Sequence, residues 1–96
     1  MMRIKLTLSS PFYEVFKTRE AEIEAADGST VADAVQILIQ KYKTEDLLLE
    51  KKLISEGRLS ALYSLKKDIG GGIIVKEDHV LKDADSITIL GTYIGG

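Results

Sequence analysis

The strongest constraint on the fold of this 96-residue chain is a capped amphipathic helix near its middle. Thr30 and Asp33 have the spacing of a capping box, in which each side chain bonds the backbone N–H of the other residue. The apolar residues that follow recur at intervals of three and four, which places them on one helical face: Val31, Ala34, Val35, Leu38, Ile39 and Tyr42. A helix with one apolar face needs a second layer to cover that face.

Two alternating segments before this helix supply candidates for that layer. Residues 2–8 alternate apolar and polar side chains, as a strand with one buried face does, and residues 19–25 alternate again. The polar side of the second segment carries three acidic residues: Glu20, Glu22 and Glu24. We expect the two strands to pair antiparallel and this acidic face to be solvated, with docking of a basic partner as the alternative. Residues 12–17 are predicted as a connection whose aromatic rings seal the edge of the core.

After the main helix the pattern is less regular. A second helix is predicted from a cap at Thr44 to Gly57, which occupies the place of a helix C-terminal glycine. Residues 59–66 could prolong helical structure, but their alternation favours a strand with Ala61, Tyr63 and Leu65 on one face.

Short elements complete the chain. Three of them come first: a glycine loop at 69–72, an extended segment at 73–75 and a turn at 83–85. Residues 86–93 alternate again and are predicted as the last strand. This order indicates an α+β fold of the β-grasp type, a mixed sheet packed on one main helix. We expect a single domain over residues 1–96, with a flexible C-terminal tail at 92–96.

Composition excludes several classes of function. Thirteen Lys and Arg against fifteen Asp and Glu leave a net charge of −2, which disfavours nucleic acid as the main partner. The absence of Cys removes disulfides, cysteine nucleophiles and thiolate metal sites, and a single His makes other metal sites improbable. Since no signal peptide and no membrane-spanning segment is evident, we expect a cytoplasmic protein.

The internal candidates for chemistry have simpler interpretations. The glycine triplet at 70–72 lacks the Lys and Ser or Thr of a phosphate loop, and Ile73 follows it, so a plain loop is favoured over an anion site. His79 is expected in a short polar turn rather than as a general base. Asp83 and Asp85 fit turn chemistry better than a pair of acid–base carboxylates or a weak metal site.

The last two residues, Gly95 and Gly96, are different in kind. They follow a predicted strand and the apolar residues Tyr93 and Ile94, so they would form the end of a projecting arm. Because glycine lacks a Cβ, two in succession can thread a narrow channel and leave the last carbonyl open to attack. A carboxylate becomes an acyl donor only after activation, so an ATP-consuming partner would have to adenylate it. The chain would then be a substrate and not a catalyst.

The order of these features resembles the MoaD and ThiS family of ubiquitin-like sulfur carriers and their archaeal small modifier relatives. Residues 27–34 look like the family's Gly, Thr-Val-x-Asp start of the main helix, and 56–59 look like the segment before the third strand. Residues 81–87 are similar to Leu-x-Asp-Gly-Asp-x-Val, with Ala84 in place of the usual Gly. The terminal glycine pair completes the match, which covers essentially the whole chain. A Val-Asn-Gly hairpin is missing from 64–80, and so are the prolines often found before the terminal glycines.

The resemblance implies a carrier with no bound cofactor. A ubiquitin-activating-type enzyme would use ATP to adenylate Gly96 and sulfur would then replace the adenylate, giving a thiocarboxylate. A MoaD-like chain would be the small subunit of molybdopterin synthase and would insert its tail into the large subunit. Delivery of sulfur to thiazole synthesis and conjugation of Gly96 to lysines are the alternatives. The exposed sheet and the tail, including Tyr93 and Ile94, would form the docking surface, and Tyr93, Ile94 and Gly95 would thread into the partner. If the terminus is incidental, the chain is a non-enzymatic β-grasp binding module.

Overall fold

The computed structural model describes residues 1–92 of the chain. The elements, in chain order, are β1 (Met2–Leu8), α1 (Phe12–Phe16), β2 (Glu20–Ala25), α2 (Val31–Tyr42), α3 (Glu45–Glu50), β3 (Ile54–Ser55), β4 (Arg58–Leu59), β5 (Ala61–Lys66), β6 (Gly72–Val75) and β7 (Ser86–Gly91).

Five of the strands form one mixed sheet, in the order β2-β1-β7-β5-β6. β1 pairs antiparallel with β2 and parallel with β7, while β5 pairs antiparallel with both β7 and β6. A parallel central pair flanked by antiparallel neighbours confirms the predicted mixed sheet. β3 and β4 form a separate two-stranded hairpin.

The core lies between one face of this sheet and α2. Alternate residues of the central strands are buried, among them Ile4, Leu6, Ile87 and Ile89, and Leu38 of α2 is fully buried with them. Full burial of each such side chain stabilises the fold by about 1.5–3 kcal/mol. Through these residues α2 packs against the central strands. The opposite face of the sheet, which we call the outer face, is turned toward solvent.

Helix α2 starts as its sequence predicts. The Asp33 N–H donates to Thr30 Oγ1 at 3.3 Å, and the Thr30 N–H donates to Asp33 Oδ2 at 2.9 Å. The capping box is therefore complete. The helix ends at Tyr42, and the C-cap residue Lys43 adopts a left-handed conformation with φ of 52°.

The predicted second helix is wrong in its extent, because α3 ends at Glu50. Lys52 has φ of 59°, and the Leu53 N–H donates to the Leu48 carbonyl at 2.9 Å, which closes the last turn. The chain then forms the β3–β4 hairpin, whose two turn residues, Glu56 and Gly57, both have positive φ. Gly57 is thus a hairpin glycine and not a helix cap.

Smaller corrections concern three other segments. The predicted connection at 12–17 contains the short helix α1; its rings do seal the core, since Phe12 and Phe16 are buried. The predicted strand at 59–66 is interrupted at Ser60, which separates β4 from β5. The described part of the last strand ends at Gly91, two residues before the predicted end.

Several predicted turns are confirmed. Gly70 and Gly71 both have φ of 84° and join β5 to β6. The turn before β7 has Ala84 at φ of 69°, a left-handed conformation that glycine adopts at lower cost. Ala84 occupies the position at which the resemblance expects Gly.

Candidate functional site

The outer face of the sheet carries an exposed apolar patch on three neighbouring strands. Leu62 of β5 lies directly opposite Leu90 of β7, and Ile74 of β6 pairs with Ser64, two residues further along β5. Leu62 is 48% exposed and Ile74 59% exposed, while Leu90 is half-buried. Diagonal neighbours at this spacing are within reach of one another. We call Leu62, Ile74 and Leu90 the outer patch; an exposed group of this kind, rimmed by polar residues, is typical of a docking surface.

Polar and charged groups border the outer patch. Ser64 and Thr88 lie opposite each other beside it, and Lys66 follows on the same face of β5. Within residues 1–92, Lys66 makes no ion pair. The patch is therefore apolar at its centre and positively charged at one rim.

The acidic side of β2 is paired across the strands. Arg3 Nε lies 3.4 Å from Glu22 Oε1, and Lys5 Nζ lies 3.0 Å from Glu20 Oε1. All four side chains are more than half exposed, so each pair contributes at most about 1 kcal/mol. The acidic residues lie on the solvated side of the sheet, as predicted, with part of their charge neutralised by β1. Docking of a basic partner there stays a hypothesis.

The end of β7 adjoins the outer patch. The Thr92 N–H donates to the Ser60 carbonyl at 3.2 Å, and Leu90 lies two residues before Thr92. Gly96 is four residues further along the sequence. The predicted site residues Tyr93, Ile94, Gly95 and Gly96 themselves lie outside the described residues.

Comparison with solved structures identifies the fold. Small archaeal modifier protein 1 from Haloferax volcanii superimposes with a TM-score of 0.72 at 17% identity, covering 98% of this chain and 99% of its own. A protein named as molybdopterin converting factor, subunit 1, from Pyrococcus furiosus gives 0.68 at 18% identity, covering 93% and 95%. Small archaeal modifier protein 1 from Methanosarcina acetivorans gives 0.63 at 23% identity, covering 100% and 98%. The chain has their fold.

This is the ubiquitin-like β-grasp fold of MoaD-like and small modifier proteins, as the sequence predicts. A scan against protein-family models matched none, and a search of curated proteins gave no significant match. The structural likeness extends over nearly the full length of each chain, so it includes the strands that carry the outer patch.

Within this β-grasp fold the side chains of Asp83 and Asp85 accept hydrogen bonds from backbone N–H groups. Asp83 Oδ1 accepts a hydrogen bond from the Arg3 N–H at 2.9 Å, and Asp85 Oδ2 accepts from the Lys82 N–H at 2.8 Å. These bonds confirm the prediction of turn chemistry. In residues 1–92 no three His, Asp or Glu side chains come together as a metal site would need. His79 follows a turn at Glu77 and Asp78, as predicted.

One buried group has a shifted pKa. Burial of Tyr63 on the inner face of β5, reinforced by repulsion from Glu77, raises the pKa of its hydroxyl to about 12. Arg58 Nε donates to Glu77 Oε2 at 3.0 Å, and this bond raises the pKa of the already basic Arg58 guanidinium. These groups join β4 to the turn after β6 and lie away from the outer patch.

No helix of the described chain is both long and apolar enough to cross a bilayer.

The residues of the outer patch do not stand out in the sequence analysis. The only available signal is that Leu62 and Leu90 fall on the polar side of their strands, where an apolar residue is out of pattern. Ile74 lies in an apolar run, Ile73-Ile74-Val75, and carries no such signal. Their proximity depends on the pairing of β5 with both β6 and β7, which a single segment does not reveal.

Proposed function

We propose that the chain is a ubiquitin-like carrier whose Gly96 carboxyl group is activated by an ATP-consuming partner. The observation that carries this proposal is that β7 ends at Gly91, beside the outer patch, and that the sequence continues from there to Gly95 and Gly96. The full-length likeness to MoaD-like and small modifier structures supports the same role.

The chemistry requires two steps at one carbon. A Gly96 carboxylate oxygen attacks the α-phosphorus of ATP and pyrophosphate leaves, which gives an acyl-adenylate. Bisulfide then attacks the carbonyl carbon, the bond to the AMP oxygen breaks, and the proton of the attacking sulfur passes to solvent. The product is a thiocarboxylate, and no oxidant or reductant is consumed. This chain contributes a terminus without Cβ atoms, and the partner contributes the catalytic groups.

The outer patch is the docking surface in this proposal. Because a segment of four residues spans at most about 14 Å, an active site that receives Gly96 would have to rest against the sheet close to the end of β7. The apolar residues of the outer face nearest that end are Leu90, which is half-buried, and Leu62, which is exposed. The partners that fit are an activating enzyme of the ubiquitin-activating type and, for sulfur delivery, an enzyme such as the large subunit of molybdopterin synthase.

Two destinations of the activated carboxyl group have support from different neighbours. The Pyrococcus furiosus protein is named as a molybdopterin converting factor subunit, which favours sulfur transfer to a molybdopterin precursor. The Haloferax volcanii and Methanosarcina acetivorans proteins are named as modifiers, which favours attack of a lysine amine on the same carbonyl. Thiazole synthesis is a third destination with the same first step.

Intact-protein mass spectrometry tests the activation. The full chain is incubated with activating enzymes of its own source, ATP and bisulfide, and its mass should rise by the difference between sulfur and oxygen. A variant lacking Gly96 and a reaction without ATP should show no change. Lysine conjugation would appear instead as a covalent adduct of the whole chain with other proteins.

Two results would contradict the proposal. One is an unchanged mass with every activating enzyme of the source. The other is that the chain is never activated and that a variant without Gly95 and Gly96 binds its partner as tightly as the full chain does. That result would identify a binding module with an incidental terminus.

A further inference from the structure

The end of β7 is held from both sides. Both the N–H and the hydroxyl of Ser9 donate to the Ile89 carbonyl, at 3.1 and 2.7 Å. On the other side the Thr92 N–H donates to the Ser60 carbonyl, and the Ser60 N–H donates to the Leu53 carbonyl at 2.8 Å. The last described residues therefore leave the sheet between the β1–α1 loop and the β4–β5 junction.

Gly91 occupies the closest point of this passage. A Cβ added to Gly91 would lie 2.7 Å from Pro11 Cδ and 2.8 Å from the Ser10 carbonyl oxygen. Real Cβ atoms essentially never approach other atoms so closely, and neither a proline ring nor a backbone carbonyl can rotate aside. Gly91 does not have the positive φ that favours glycine at Gly70 and Gly71, so the absent side chain matters here for space.

We infer that Gly91 is a positioning residue for activation of the carboxyl group. It lets the loop at Ser9, Ser10 and Pro11 close over the end of β7 and so sets the point and direction from which the chain continues to Gly96. This inference rests on the proposed function. Only four residues separate Thr92 from the reacting carboxyl group, so a shift of Thr92 moves by the same amount the region that this group can reach. A misplacement of about 1 Å in an active site can cost about 100-fold in rate.

The test compares Gly91→Ala with Gly72→Ala in the full-length chain. The Cβ of the control would meet the Ser64 hydroxyl, which can rotate away, and would lie 3.3 Å from the Leu65 carbonyl oxygen. Gly72 lies on β6, which β5 separates from β7. Acyl-adenylate formation is measured as ATP–pyrophosphate exchange with the activating enzyme. We expect kcat to fall at least about tenfold for Gly91→Ala, with KM within about threefold of wild type because the outer patch is retained. Gly72→Ala should keep the wild-type kcat.

A second variant keeps the inference falsifiable if Gly91→Ala does not fold. Ser9→Ala removes the hydroxyl bond to the Ile89 carbonyl but retains the backbone bond to the same oxygen, so the loop should loosen without unfolding. We expect a lower kcat at unchanged KM, together with faster hydrogen exchange at the Thr92 amide. If Gly91→Ala folds and is activated at the wild-type kcat, the inference is overturned. If Gly91→Ala does not fold, the same result for Ser9→Ala overturns it. Neither result affects the proposed function. Failure of the wild-type chain to be activated overturns the proposed function.

Discussion

Leu62 and Leu65 lie on the same strand with their side chains on opposite faces, so the same truncation at each position separates docking from stability. Leu62 is 48% exposed on the outer face, whereas Leu65 is 5% exposed in the core. Full burial of a leucine is worth about 1.5–3 kcal/mol, so the buried half of Leu62 contributes about 1 kcal/mol. Leu62→Ala should therefore lower the free energy of unfolding by about 1 kcal/mol, and Leu65→Ala by about 2–5 kcal/mol because it also leaves a cavity.

The KM for activation should respond in the opposite order, with a larger change for Leu62→Ala than for Leu65→Ala. If the partner covers the exposed half of Leu62, its truncation removes about 1 kcal/mol of binding, which is about a fivefold rise in the KM for the carrier. Leu65→Ala should leave KM unchanged once the folded fraction is taken into account. Urea denaturation gives the stabilities, and ATP–pyrophosphate exchange over a range of carrier concentrations gives KM. Equal KM values for Leu62→Ala and wild type would refute docking through the outer patch, and equal destabilisation by the two variants would refute the assignment of faces.

Two further predictions concern stability alone. Because the pKa of Tyr63 is raised to about 12, the unfolded chain loses its phenolic proton at lower pH than the folded chain, and stability should fall as pH rises from about 10 to about 12, by up to about 3 kcal/mol. Tyr63→Phe should weaken this alkaline loss in urea titrations, and identical pH profiles would contradict it. Thr30→Ala removes the hydroxyl that accepts from Asp33 and should cost about 1 kcal/mol, again by urea denaturation; no measurable loss would mean that the capping bond contributes nothing net.

Local patterns predicted the elements whose signals are contained in one segment. The alternation of residues 2–8 and 19–25, and the capping box with its apolar stripe, correspond to β1, β2 and α2 within a residue. Each of these signals repeats over at least two periods, so it is readable without knowing the neighbours. The glycine pair at 95–96 is likewise readable from the sequence, and the activation experiment tests the chemistry predicted for it.

Segments with weaker local signals depended on the rest of the fold. Gly57 follows a leucine-rich helix and could have capped it, but Leu53 is held instead by Ser60, so the chain turns into the β3–β4 hairpin. Leu62, Ile74 and Leu90 become one patch only through strand pairing. Gly91 resembles any other glycine until the loop at Pro11 closes over it. The sequence alone therefore predicted the sheet and the helix that covers it, because periodicity is a property of single segments; its prediction of a reactive terminus stays a prediction. Tertiary structure decided the outer patch and the path by which β7 ends, because both are contacts between residues far apart in the chain.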